Sequence, residues 1–454
     1  DPMEKRIRRA QHKARTGYFR RGVQALNNAP LCTDTTRLRR ILVDKHPSRL
    51  DKPELPSAPL RPHIIIDPEL LRKIFKRIHN GSAPAISGWN ADLLEPVMQD
   101  EECFAAIVAF VEAAANNNLP EPARQLILQK TLMAPAKPNK TDSPQPEDPR
   151  PVTILEPLYQ LAASYCLSLV DSALSDILQP LGQFGIGTRG GCELALHRTQ
   201  ADIEDSGPMS AVLLDDLDDK INCFNSIDRR DILTNLYSTP TLQNLWGIAD
   251  MAYGRPSVVV YKGEHSNPLL PIWCEEGSQQ GCSLGTALCC LGLIPVNNAL
   301  THNLNASINS ICDDSAITCP KWEDTLCALD RSLSNTTVQV SRSKTKILWP
   351  HTNPPPQGLV EGCQQRGVRL VLESTKHLGG IIGCNPERIS EHAMHIAHSH
   401  DHFFEAICHP AMTKQIATGF LRIAGANRFN YLRTQPPRLI YEAANRFDTA
   451  KLQA

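Results

Sequence analysis

Two clusters of aspartate, far apart along the chain, constrain this sequence more than any other feature. The first closes an apolar run of strand type, Ala211-Val212-Leu213-Leu214. That run ends in Asp215, Asp216, Asp218 and Asp219, then passes into the polar and aromatic turn Asn222-Cys223-Phe224-Asn225-Ser226. The second, from Ser307 to Thr318, reads as a hairpin with Asp313 and Asp314 adjacent at its turn. An acidic strand end facing an Asp-Asp turn is a place to hold two Mg²⁺ ions, because hard divalent cations take oxygen ligands. Two such ions about 3.5–4 Å apart stabilise both the attacking and the leaving oxygen of an in-line phosphoryl transfer. Taken alone, the first cluster reads as a solvated strand end; the second cluster makes it a candidate site.

Bulk properties narrow the setting. A chain of 454 residues is too long for one simple core and is expected to form about three compact units. With 41% hydrophobic and 21% charged residues its composition is ordinary for a globular protein. The longest apolar run, residues 284–296, is shorter than the roughly 20 residues that span a bilayer. The charged first residues lack the apolar core of a signal peptide. Fifteen cysteines are scattered without a repeating spacing, as buried thiols in a reducing compartment are, and no Cys-x2-Cys pair suggests zinc. The expected location is therefore a reducing compartment, cytosol or nucleus. Net charge is −1, yet residues 1–50 carry thirteen Lys and Arg against four acids. Such a basic block is an electrostatic footprint for phosphates, although a solvated basic helix has the same composition.

Taken in order, residues 4–29 are predicted helical, and five prolines make residues 47–62 a stiff linker. Helices are expected from Asp67 to the Asn80-Gly81 turn, over residues 91–98 and over 103–118. Leu126 to Ala134 reads as strand, and a second strand starts near Val152. The exposed loop between them has Lys137 near one end and Arg150 near the other, a finger able to reach over a triphosphate. Gln183-Phe184-Gly185 opens a Gly-rich turn that allows close backbone approach. Residues 229–237 read as helix, and 257–261 with 269–272 as a hairpin. The loop Glu276 to Gly285, containing Gln280-Gly281, enters an apolar helix. Lys344-Thr345-Lys346 and Leu378-Gly379 follow, and the chain is helical from Pro386. Five histidines between His392 and His402 read as a polar helix face, because few of them share helical spacing.

The order of these motifs is more telling than any one of them. Lys137 with Arg150-Pro151-Val152, Gln183-Phe184-Gly185, Asp219 with Phe224-Asn225, Gln280-Gly281, Asp313-Asp314, Lys344-Thr345-Lys346 and Leu378-Gly379 stand in the sequence and approximate spacing of a reverse transcriptase. The chain resembles the polymerase region of non-LTR (LINE-type) retrotransposons, with a likeness to the site-specific elements of protists. Gly17 to Asn28 and Leu421 to Thr434 are similar to flanking segments of that family.

The resemblance implies an α+β right hand, with an antiparallel palm sheet packed on helices and a basic helical extension in front. The implied units are residues 1–62 as extension and linker, 63–207 as fingers, 208–385 as palm with a finger-like insertion at about 236–272, and 386–454 as a helical thumb. The last helix runs to the chain end without a stop signal, so a longer parent protein is expected. Asp219, Asp313 and Asp314 are implied as catalytic metal ligands for two Mg²⁺, with Mn²⁺ as an alternative. Lys137, Arg150, Phe224, Gln280, Gly281 and Lys344 are implied to surround the nucleotide, and Leu378 and Gly379 to grip the primer end. The implied partners are an RNA template, a DNA primer or target DNA, and dNTPs, since Phe224 matches the ring that closes the space of a ribose 2′-OH. Three departures from the family pattern stand out. Asp219 lies between Asp218 and Lys220 instead of apolar neighbours, which leaves Asp216 as an alternative first ligand. Ile311 stands in place of an aromatic residue. Ser87-Gly88-Trp89-Asn90 replaces a Gly-Pro-Asp-Gly type of loop. A catalytically silent RNA-binding relic and an RNA-dependent RNA polymerase are the competing functions.

Overall fold

The structure is a computed structural model. It describes all residues except 1, 28–30, 79–82, 137–148, 217–221, 264–266, 335–341, 343 and 426, and only the backbone of 2, 215 and 216. Asp219 and Lys137, and the expected turn at Asn80-Gly81, lie outside the described residues.

Among the described residues the chain is a mixed α+β structure with eleven strands: β1 Lys130–Met133, β2 Val152–Leu155, β3 Ala211–Asp216, β4 Ser257–Tyr261, β5 Leu270–Cys274, β6 Ser307–Ile311, β7 Asp314–Cys319, β8 Lys346–Trp349, β9 Arg369–Leu372, β10 Ser374–His377 and β11 Gly380–Gly383. They form three sheets, ordered β6-β7-β3-β8-β9, β2-β1-β4-β5 and β10-β11. Two predicted hairpins are present, β6 with β7 and β4 with β5. The central sheet is not wholly antiparallel as expected. It is antiparallel from β6 to β8, but β9 joins β8 in parallel after the helix Gln357–Arg366 crosses over. Such a crossover is what a parallel pair requires.

Local chemistry explains most element ends. Asp67, Asn90, Asp100, Asp228 and Asn385 cap the helices that follow them, each side chain accepting a backbone N–H of the first turn. The expected strand from Leu126 begins later than predicted. A helix, Glu121–Ile127, occupies the first part, and Arg124 anchors it by donating to the Met251 carbonyl at 2.6 Å. One large core gathers helices from residues 64–178, 223–253 and 285–300 under the central sheet. The apolar helix Gly285–Thr301 runs along it, buried from Ala287 to Leu293 and exposed in part towards its C-terminal end.

The basic N-terminal extension is divided between two smaller cores. Helices Pro2–Arg15 and Phe19–Asn27 place Ile7, Val23 and Leu26 against Phe403, Phe420 and Phe447 of the C-terminal helices. The next helix, Thr36–Asp44, packs Leu38 and Leu42 on the β1-β4-β5 sheet instead. The proline-rich stretch is extended, as its composition requires, but pinned along the surface. Arg49 pairs with Glu276 at 2.6 Å and Asp228 at 3.1 Å, and Arg61 donates to the Ala115 carbonyl at 3.0 Å. The fifteen cysteines, all among the described residues, form no disulfide. Among the described residues no single helix is long and apolar enough to cross a membrane.

Candidate active site

The described end of the first acidic cluster, Asp215 and Asp216, pairs with the start of β7 at one end of the central sheet. β3 runs antiparallel to β7 in the register Leu214↔Ala316, Asp215↔Ser315 and Asp216↔Asp314. Residues directly opposite in an antiparallel pair lie on the same face, so the Asp216 and Asp314 positions share a face at the end of these two strands. Asp313 is the second residue of the two-residue turn that joins β6 to β7, following Cys312 at φ +53°. A positive φ confined to the first turn residue belongs to the II′ hairpin, whose twist matches that of the flanking strands. On the other side of β3, Leu214 faces Lys346 of β8. Lys344 stands two residues before the start of β8.

An all-carboxylate donor set is the hard oxygen chemistry that Mg²⁺ takes, and Mn²⁺ accepts it too. Among residues whose side chains are described, no group of three or more His, Cys, Asp or Glu converges as a metal site. The side chains of the strand end at 215–219 lie outside that description.

A second group of predicted residues converges beside this sheet end. Gln280 and Gly281 are fastened to β2. The Gln280 carbonyl accepts from Thr153 N at 2.9 Å and Thr153 Oγ1 at 2.6 Å, and Gln160 Nε2 donates to the Gly281 carbonyl at 2.6 Å. Gly281 has φ +103°, and a Cβ there would fall 2.2 Å from the Thr153 carbonyl, so only glycine fits. The Gln280 side chain donates to Asn222 Oδ1 at 3.0 Å, tying the loop to the exit of the acidic strand. Two residues on, Phe224 lies half-buried in a single helical turn, Cys223–Ser226. Arg150, exposed, precedes β2 and bonds through its backbone N–H to the Pro135 carbonyl at 2.9 Å. A cavity of about 810 Å³ opens from Gly281 and Thr153 past Gln160 and Trp89 to Arg77 and Arg21.

The remaining predicted pair, Leu378 and Gly379, forms the turn between β10 and β11, both at positive φ. Lys346 Nζ reaches this hairpin from β8, donating to Thr375 Oγ1 at 2.9 Å and the Lys376 carbonyl at 3.0 Å. The histidines do not converge. His392 meets the Gly379 carbonyl, His398 meets Asp401, and His402 meets Asn27, in keeping with a polar helix face.

Two residues that motif order left without a role hold this site in shape. Gln183, buried, brackets the Cys312 backbone: its Oε1 accepts Cys312 N–H at 2.8 Å and its Nε2 donates to Cys312 O at 3.1 Å. The amide thus meets both polar groups of the left-handed residue before Asp313. Arg229, also buried, donates to the carbonyls of Gly277 at 3.2 Å, Glu276 at 3.0 Å and Cys274 at 3.3 Å, while its own N–H bonds to Glu276 Oε2 at 2.8 Å. It organises the stretch leading into Gln280-Gly281. The glutamine stood in a recognised motif whose local signal was only its glycines. The arginine gave no sign beyond a helix start.

Comparison with known proteins agrees with the resemblance read from the motifs. The chain is similar to the retrotransposable element SLACS 132 kDa protein of Trypanosoma brucei gambiense, a non-LTR element, with 24% identity over 284 residues. That match takes in 62% of this chain and 22% of the relative, so the chain spans about a fifth of the relative's length. Among solved structures, apo telomerase from Candida tropicalis, truncated from its C-terminal domain, is similar over 57% of this chain and 54% of its own. That likeness has a TM-score of 0.38 at 10% identity and does not define a fold. No family model matches the sequence.

Proposed function

We propose that this relative of a non-LTR retrotransposable-element protein is an RNA-directed DNA polymerase, extending a DNA primer on an RNA template by nucleotidyl transfer. The observation that carries the proposal is the register Asp216↔Asp314 beside Asp313, with the Gln280-Gly281 loop fastened between the acidic strand and β2. On this reading the central sheet is the palm, residues 63–207 with the β4-β5 hairpin act as fingers, and residues from 386 form the thumb.

Asp313 and Asp314 would act as ligands together with a carboxylate from the end of β3, Asp219 by its spacing to Phe224 or Asp216 by strand register. Two Mg²⁺ ions bound there would supply charge for the attacking and leaving oxygens. Arg150 offers a planar fork to triphosphate oxygens, and Lys137 a point charge at the other end of the same loop. Lys344, two residues before β8, would add positive charge near the acids. The backbone at Gly281, free of a side chain, lets a nucleotide lie flat on the loop. Phe224 fills the space of a 2′-OH and selects dNTP over NTP. The RNA template would cross the cavity lined by Arg21, Arg77 and Trp89, where two guanidinium groups and an indole suit phosphates and an unpaired base. The exposed basic residues of helix Pro2–Arg15, among them Lys5, Arg6, Arg9 and Arg15, extend that charge. A nuclear protein or cytoplasmic ribonucleoprotein fits these partners.

The test is extension of a DNA primer annealed to RNA, with Mg²⁺ and either dNTPs or NTPs. Incorporation of dNTPs is expected, with Phe224→Val admitting NTPs. Incorporation of NTPs by the unmodified chain would assign an RNA polymerase instead. RNA binding without incorporation would assign a silent relic.

A further inference from the structure

The turn between β10 and β11 is built in an unusual way for its composition. His377 pairs with Gly380, so Leu378 and Gly379 alone make the turn, with φ +45° and +85°. Positive φ at both positions is the I′ hairpin geometry, which Asn-Gly adopts readily and a leucine does not. A leucine held there needs partners that over-determine it.

Those partners come from the C-terminal helices. The Tyr431 hydroxyl donates to the Leu378 carbonyl, and His392 Nε2 meets the Gly379 carbonyl at 2.9 Å. A carbonyl only accepts, so the imidazole proton sits on Nε2. Burial pushes the Tyr431 phenol up to about 12, which keeps it a donor through the neutral range. The Tyr431 ring closes over the turn, only 3.3 Å from where a Cβ on Gly379 would lie. Each donor is itself fixed: His392 stands in helix Pro386–Ser399, and Tyr431 in the short turn Asn430–Thr434, where its carbonyl accepts from Thr434 Oγ1 at 2.9 Å. The hairpin is thus held on one side by Lys346 of the central sheet and on the other by two side chains of the C-terminal helices.

We propose that Tyr431 and His392 are positioning residues that set the Leu378-Gly379 turn and couple the seating of the C-terminal helices to the placement of a primer 3′ end. The inference rests on the polymerase reading, in which that turn grips the primer. Both backbone carbonyls of the turn are taken up by thumb side chains. A primer strand therefore meets the turn in one orientation only while the thumb is seated, and loses it when the thumb lifts. Positioning of this kind acts on primer binding and on successive additions, not on the affinity for dNTP.

The experiment compares the unmodified chain with Tyr431→Phe, His392→Leu and His392→Gln. It measures primer–template dissociation, product length per binding event, and KM for dNTP. Tyr431→Phe removes one hydroxyl and His392→Leu one donor, so each is expected to speed primer dissociation roughly three- to tenfold, the weight of a single hydrogen bond. Products should shorten in step, with KM for dNTP unchanged. His392→Gln keeps an N–H donor and is expected to restore product length. Hydrogen exchange at residues 374–383 should rise in Tyr431→Phe and His392→Leu, and thermal melting shows whether each variant is folded. An unmodified chain that extends primers, with Tyr431→Phe and His392→Leu both matching it in dissociation and product length, would overturn this inference alone. An unmodified chain that extends nothing would overturn the polymerase reading and this inference with it.

Discussion

A single buried amide, Gln183, holds the turn on which Asp313 sits, and replacing it tests how far that turn must be held. Gln183→Leu leaves the Cys312 N–H and carbonyl short of partners, a stability loss of about 1–3 kcal/mol. Primer-extension kcat is expected to fall at least about tenfold, equivalent to roughly 1.4 kcal/mol of lost positioning, with KM for primer little changed. Equal losses in kcat and in RNA binding would point to general unfolding instead. Lys130 is a different kind of residue. It is wholly buried and donates to Ser257 Oγ at 2.9 Å, and burial pushes its ammonium down to about 8. A cation with a lowered folded pKa adds its full stability only above its unfolded value and loses it as pH falls through about 8. At neutral pH the buried charge therefore costs about 3 kcal/mol. Lys130→Met is expected to raise Tm at pH 7 and to flatten the gain that the unmodified chain shows between pH 8 and 10. A lower Tm for the variant would show that the ammonium has a use worth its burial. His377, held down to about 4 mainly by burial, has the same sign in a lower window, with stability lost as pH falls from about 6.5 through 4.

At the scale of elements, the acidic strand and its hairpin partner were readable because period-two patterning and an Asp-Asp turn are local signals. The structure has the hairpin at residues 307–319 and places β3 beside it, as the motifs implied. Register and spacing point to different acids as the candidate first ligand. The strand pairing sets Asp216 opposite Asp314, whereas the distance to Phe224 selects Asp219. Asp216→Asn and Asp219→Asn separate the two: the true ligand is expected to lose extension by several orders of magnitude, the other within about tenfold. Strand order beyond the hairpins was not legible. The parallel seat of β9 depends on a crossover helix, and a wound connection carries no more local signal than any other amphipathic helix. Nor did a buried arginine such as Arg229 announce itself, since its partners are carbonyls nearly fifty residues away, not a neighbouring acid. Its removal is expected to unfasten the Gln280-Gly281 loop.

For the whole molecule, the ends of the chain are packed together, which no window of sequence could have shown. Gln11 Nε2 donates to the Ala411 carbonyl at 2.7 Å, and Phe19 meets Phe420 edge-on with ring centroids 6.0 Å apart. The N-terminal basic helices are therefore part of the C-terminal core, and their charge rides on the C-terminal helices. Deleting residues 1–27 is expected to uncover Phe420 and its neighbours, lower Tm and promote aggregation; a deletion variant with unchanged Tm would contradict that packing. The same arrangement explains how a chain of near-zero net charge carries a basic surface, because the excess is gathered at one end and folded back onto the C-terminal helices. The central claim, that acids from two distant segments form one metal-dependent polymerase centre, is tested most directly by Asp313→Asn in an RNA-templated primer-extension assay with Mg²⁺ and dNTPs. The expected result is loss of extension with RNA affinity nearly unchanged; extension by Asp313→Asn at the rate of the unmodified chain would contradict it.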